Sequence, residues 1–134
     1  MNAECGVRNS EFVARGDALK ARTKQFALRV IRLVETLPKS RTADVLGKQL
    51  LRAATSVGAN YRAACRGRSA AEFQAKLGIV EEEADESGYW IELLVESGLL
   101  KAALVQSLLD EAGELTAITV ASIKTSRRQI VRKR

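Results

Sequence analysis

Residues 50–68, LLRAATSVGANYRAACRGR, decide how this chain is read. The stretch has no proline, many small residues, four arginines and no acid. Leu50, Ala54, Val57, Tyr61 and Ala64 share one side of a helix, and Ala43 and Leu46 extend that stripe upstream. Lys48, Arg52, Arg62 and Arg66 fall within about 40° of a second line almost opposite, separated by Thr55, Ala59 and Ala63. The pattern predicts one helix with a packing side and a basic side. Gly47 and Gly58 lie near the apolar stripe, where with Ala53 and Ala54 they would let another helix approach closely. Without such a reason each interior glycine costs about 1 kcal/mol relative to alanine, and periodicity supplies no reason for Gly78 or Gly88.

Upstream, Ser40 or Thr42 can cap this helix, with Asp44 near its positive N-terminus. Pro38 biases Leu37 away from helical backbone and so closes a preceding helix from Asp17, whose inward face is Leu19, Phe26, Val30, Leu33 and Leu37. Lys20, Lys24, Arg29 and Arg32 lie off that face. Downstream, Gly67 is a natural stop, and Ser69-Ala-Ala-Glu72 reads as a capping box opening a third helix. That helix carries Phe73, Leu77, Val80, Ala84, Ser87, Ile91 and Leu94 at alternating spacings of four and three, the signature of near-parallel helices in a bundle. Gly98 ends it. A fourth helix follows from about Leu100, with Leu104, Leu108, Leu115 and Ile118 expected inward.

Long helices with short connections favour antiparallel neighbours. The expected fold is therefore all-α, an antiparallel up-down-up-down four-helix bundle over residues 17–126. A poorly ordered lead-in, 1–16, precedes it, and a basic tail, 127–134, follows. At 134 residues the chain fits a single domain. No apolar run nears the roughly 20 residues of a membrane span, and the first residues lack the apolar core of a signal peptide, so a cytoplasmic protein is expected. In that reducing setting Cys5 and Cys65 read as free thiols, with Cys65 a structural one towards the apolar side of its helix.

Charge is segregated. Residues 1–68 hold fourteen Lys/Arg against five Asp/Glu, residues 69–123 hold two against eleven, and the last eleven residues hold six bases and no acid. Such blocks give a dipolar surface with a basic flank suited to a polyanion, or they pair with each other across the bundle. The candidate nucleic-acid-binding residues are Lys48, Arg52, Arg62, Arg66 and Arg68, with Arg127 and Arg128 in the tail. Long cations over small residues suit a phosphate backbone, while the lack of stacking aromatics argues against base-specific recognition of single strands.

Catalysis and metal chemistry find little support. The chain has no histidine, hence no Ser-His or Cys-His pair, and no Gly-rich phosphate loop follows a strand. In the acidic run 81–86 only Ala84 points inward, so its carboxylates are not arranged as the metal ligands of a carboxylate bundle. No enzyme activity, metal or cofactor is expected. Ile79, Trp90 and Leu93 form a second apolar strip on the third helix, beyond what a lone bundle needs, and self-association through it is expected.

The run from Leu51-Arg52-Ala53-Ala54 through Ser56-Val57-Gly58-Ala59-Asn60 to Ser69, Glu72-Phe73 and Leu77 resembles the four-helix-bundle family named for proteins encoded in intervening sequences of bacterial 23S ribosomal RNA. The resemblance covers about Phe26 to Ser122. Many relatives carry Asn-Ile-Ala-Glu-Gly where this chain has Asn60-Tyr61-Arg62-Ala63-Ala64; the missing acid makes this face more basic. The resemblance implies an antiparallel bundle assembled as a homopentameric ring. It also implies likeness to accessory proteins of diversity-generating retroelements, which bind nucleic acid and a reverse transcriptase. The sequence thus points to a non-enzymatic, oligomeric scaffold binding RNA or DNA. The rival is a protein-interaction adaptor whose charged faces never touch nucleic acid.

Overall fold

The computed structural model describes residues 10–133, and every regular element among them is helical: α1 (Ser10–Glu35), α2 (Arg41–Cys65), α3 (Ala70–Glu96) and α4 (Ala102–Lys133). α1 begins inside the stretch read as lead-in, whose first nine residues lie outside those described, and α4 runs on through the basic tail to Lys133.

Local chemistry sets the ends. Thr36 and Leu37 donate to Leu33 and Val34 carbonyls in a tightened last turn of α1, just before Pro38. Ser40 is the N-cap of α2, its hydroxyl accepting from the Ala43 N–H at 3.0 Å. Ser69 does the same for Glu72 at 3.1 Å, and the Glu72 carboxylate reaches back to the Arg68 N–H at 2.6 Å, completing the reciprocal box one residue earlier than its usual target. α3 ends in a Schellman turn: Gly98 donates to Val95, Leu99 donates to Leu94, and Gly98 takes a φ of 83°, which an L side chain rarely adopts. Gly67 serves differently. Its φ is unremarkable, but a methyl there would sit 3.0 Å from the Ala64 carbonyl oxygen.

Cross-helix pairs give the topology. As α1 advances from Thr23 to Val34, its neighbours on α2 fall back from Gly58 to Gly47. On α4, the partners fall back from Glu111 and Glu114 to Ser107 as α1 advances from Arg22 to Arg29. Between α3 and α4, Gln74 donates to Ser126 at 2.9 Å while Gly88 faces Ala112. Sequential neighbours therefore run antiparallel, and among the described residues no Cα of α1 comes within 8 Å of α3, nor any of α2 within 8 Å of α4. The α2–α3 and α3–α4 interfaces are extensive, whereas the α1–α4 seam is sparse. An open cavity of about 330 Å³ lies in that seam, walled by Leu19, Tyr61, Phe73 and Ile118.

All seven residues expected inward on α3 are buried. So are Phe26, Val30 and Leu33 on α1 and Leu50, Ala54, Val57, Tyr61 and Ala64 on α2. Each large apolar side chain buried here contributes about 1.5–3 kcal/mol. The buried hydroxyls of Thr23, Ser87 and Thr119 donate to carbonyls of their own helices, so none is left unpaired in the core.

Two expectations need correction. On α4 the inward line is Val105, Leu108, Ala112, Leu115, Thr119 and Ile123; Leu104 is 63% exposed and Ile118 is half-buried. Adjacent Leu104 and Val105 are both apolar, and the small or polar core positions Ala112, Thr119 and Ser126 select Val105. Cys65 is disulfide-bonded, not a free thiol. Cys5 lies outside the described residues.

Candidate nucleic-acid interface

Close packing of α1 on α2 builds the basic face. A methyl at Gly58 would lie 3.2 Å from Thr23 Oγ1, and one at Gly47 would lie 3.1 Å from Leu37 Cδ1. Only glycine leaves both contacts relaxed, so the two interior glycines are the points at which α1 settles on α2. The groove so formed, about 520 Å³, is lined by Thr23, Ala27, Thr55, Gly58 and Ala59, with Lys20, Lys24 and Arg62 as the only ionisable groups among the described residues there. Its continuation towards the α1–α2 turn brings in Lys39 and Lys48, with Asp44.

Lys48, Arg62 and Arg66 are exposed on α2, and Arg68 is exposed in the turn that follows. Arg127 and Arg128 are exposed on α4 directly after Ser126, whose hydrogen bond from Gln74 ties that part of α4 to the start of α3. Arg66, Arg68, Arg127 and Arg128 therefore gather at one end of the bundle. Arg52 is held differently. Its guanidinium donates to Glu83 at 2.8 Å and also to Glu86, both on α3. Burial alone would raise the Glu83 carboxyl, but hydrogen bonds from Arg52 and with Glu86, together with the Arg52 charge, bring it below the usual carboxylate range. The opposed charge blocks thus pair at Arg52, while Lys20, Lys24 and Arg62 form no ion pair among the described residues.

The α3–α4 groove has the opposite polarity: Asp85, Glu92 and Asp110 line it beside Gly88 and Gly113, with no cation among the described residues there. Of the residues expected at a self-association surface, Ile79 is 37% exposed, Leu93 is half-buried, and Trp90 packs partly against the bundle's own core. The Trp90 indole N–H is buried without an acceptor among the described residues. Tyr89, not singled out from sequence, is half-exposed and meets Trp90 edge-on at 5.1 Å. Lys20 and Lys24 are legible in the sequence as off-face cations, but their convergence with Arg62 is tertiary. The nearest signal for it is the pair Gly47 and Gly58.

Residues 18–121, the bundle from early α1 into late α4, match the model of the 23S rRNA-intervening sequence protein family. The chain belongs to that family. A crystal structure of a protein with unknown function from the S23 ribosomal protein family of Bacteroides thetaiotaomicron is similar, at 33% identity and a TM-score of 0.76, over 81% of this chain and 97% of that one. No curated protein matches the sequence. The family assignment thus carries the helices and their packing. None of the described helices is long and apolar enough to cross a membrane.

Proposed function

We propose that this member of the family is a non-enzymatic, oligomeric scaffold that binds RNA or DNA through the basic face shared by α1 and α2. The observation that carries the reading is the α1–α2 groove, where Lys20, Lys24 and Arg62 converge with no acid among the described residues that line it. Lys48, Arg66, Arg68, Arg127 and Arg128 extend the positive surface towards both ends of that groove. Lys and Arg contacts to phosphates release condensed counterions, so they bind any polynucleotide and do so less well as salt rises. Self-association, as a homopentamer or another ring, would use the strip of Ile79, Trp90 and Leu93 and set several such grooves side by side. The reading places the protein in the cytoplasm, where a reverse transcriptase or other protein could share the scaffold.

The Arg52 clasp favours the rival reading of a protein adaptor, because it shows part of the basic face already neutralised within the chain. An electrophoretic mobility shift with labelled RNA and DNA across a salt series separates the two. A shift that weakens with salt and is abolished by Lys24→Glu with Arg62→Glu is expected; no shift at low salt favours the adaptor. Light scattering tests the oligomer: a dilute monomer would contradict it.

A further inference from the structure

Building on that reading, we infer that the α1–α2 groove receives the sugar–phosphate backbone of a single strand, independent of base sequence, in preference to a duplex. Three features of the groove carry this.

The first is its relief. Gly47 and Gly58 let α1 pack closely on α2, and the short side chains of Thr55 and Ala59 line the furrow beside the longer Lys20, Lys24 and Arg62. A furrow between two helices packed about 8–10 Å apart admits one chain, whereas a duplex is a convex cylinder that would ride on the cation tips. The second is direction. From Lys48 to Arg62 along α2 is about 21 Å, with Lys20 and Lys24 on α1 facing Arg62 at one end and Lys39 and Lys48, beside Asp44, at the other. A strand laid along the furrow meets positive charge from both sides. The third is chemical. Among the described residues the groove's lining includes no aromatic ring to stack a base and no Asn or Gln amide to read a base edge. Its hydroxyl protons are already committed: Thr23 donates to the Lys20 carbonyl and Thr55 to the Leu51 carbonyl. Recognition is left to phosphate contacts, which carry no sequence information.

Fluorescence anisotropy on the full chain tests this, using labelled oligothymidine, oligoadenosine and the duplex they form. Both single strands should bind equally and about tenfold more tightly than the duplex. If Lys20, Lys24 and Arg62 are the contacts, the single-strand salt slope should be about −2.1, a loss of roughly twentyfold between about 50 and 200 mM salt. Filling the floor with Ala59→Leu, an exposed helical position that leaves charge unchanged, should weaken single-strand binding about tenfold without lowering helicity measured by circular dichroism. Duplex binding equal to or tighter than single-strand binding would overturn the inference. So would a strong preference between the two strands, or an Ala59→Leu variant that folds and binds as before. In those cases, loss of binding in Lys24→Glu with Arg62→Glu would still support the basic face itself. If that double variant binds unchanged, the proposed function fails along with the inference.

Discussion

Arg22 of α1 grips Glu111 of α4 through two hydrogen bonds of 2.7 Å each, and its second terminal nitrogen also donates to Glu114 at 2.9 Å. This clasp spans the sparsest interface of the bundle, where apolar contact contributes least. The hydrogen bond from Arg22 holds the Glu111 carboxyl below its ordinary range, against the opposing effect of burial. A carboxyl depressed in the folded state stabilises fully above its unfolded value, and that contribution is lost as pH falls through the folded one. Stability should therefore decline from about pH 5 downward through the ordinary glutamate range. Glu111→Gln should flatten that decline and cost about 1 kcal/mol or less at neutral pH, because Arg22 is partly exposed and solvent screens the pair. Urea unfolding of both proteins across the acid range checks it.

Tyr61 gives an alkaline counterpart. Burial, with a smaller push from the Asp17 charge, raises its phenol to about 12. A group whose ionisation is hindered by folding stabilises below its unfolded value near 10, and that contribution is lost as pH rises towards 12. Tyrosinate absorbance should show a component titrating near 12 that disappears in Tyr61→Phe.

Leu104 and Val105 offer a direct comparison of neighbouring apolar residues. Val105→Ala should destabilise by about 1–3 kcal/mol, since it empties part of a core position with no exposure. Leu104→Ser should change stability by no more than about 0.5 kcal/mol. Thermal melts of the two variants suffice.

The glycines separate by surroundings. Nothing lies within 4 Å of a methyl added at Gly78 or Gly113, and both sit inside helices. Each should therefore gain about 0.5–1 kcal/mol on replacement by alanine. Gly98→Ala should lose about 1 kcal/mol, because its φ of 83° suits glycine. Denaturant midpoints with unchanged slopes would establish all three.

Releasing Arg52 should alter ligand binding. Glu83→Gln with Glu86→Gln removes both of its ion-pair partners and leaves the guanidinium available to a polyanion. Binding should tighten and the salt slope should steepen by about 0.7 per added phosphate contact on a single strand. An unchanged slope would mean Arg52 lies off the path of the bound strand.

How far the molecule could be read in advance depended on what kind of interaction fixed each part. α3 was legible to the residue, because Phe73 through Leu94 repeat without ambiguity and Ser69 and Gly98 mark its ends with side-chain and backbone chemistry of their own. α4 was not, because it fills core positions with Ala112, Thr119 and Ser126, which no hydrophobicity pattern distinguishes from surface. The basic stripe of α2 was visible, but which of its cations face solvent was decided elsewhere: Glu83 and Glu86 on α3 claim Arg52, and Lys20 and Lys24 on α1 join Arg62. Pairings between helices depend on register and rotation, and composition encodes neither.

The sparse α1–α4 seam has a consequence for the groove on the other side of α1. Lys20 and Lys24 are borne by a helix that packs mainly along one flank, against α2, with the Arg22 clasp holding the other. An anion that draws those lysines towards Arg62 would act as a latch on the whole helix. Its occupancy would then be readable far from the groove, as slowed amide exchange along α1 and a higher melting temperature.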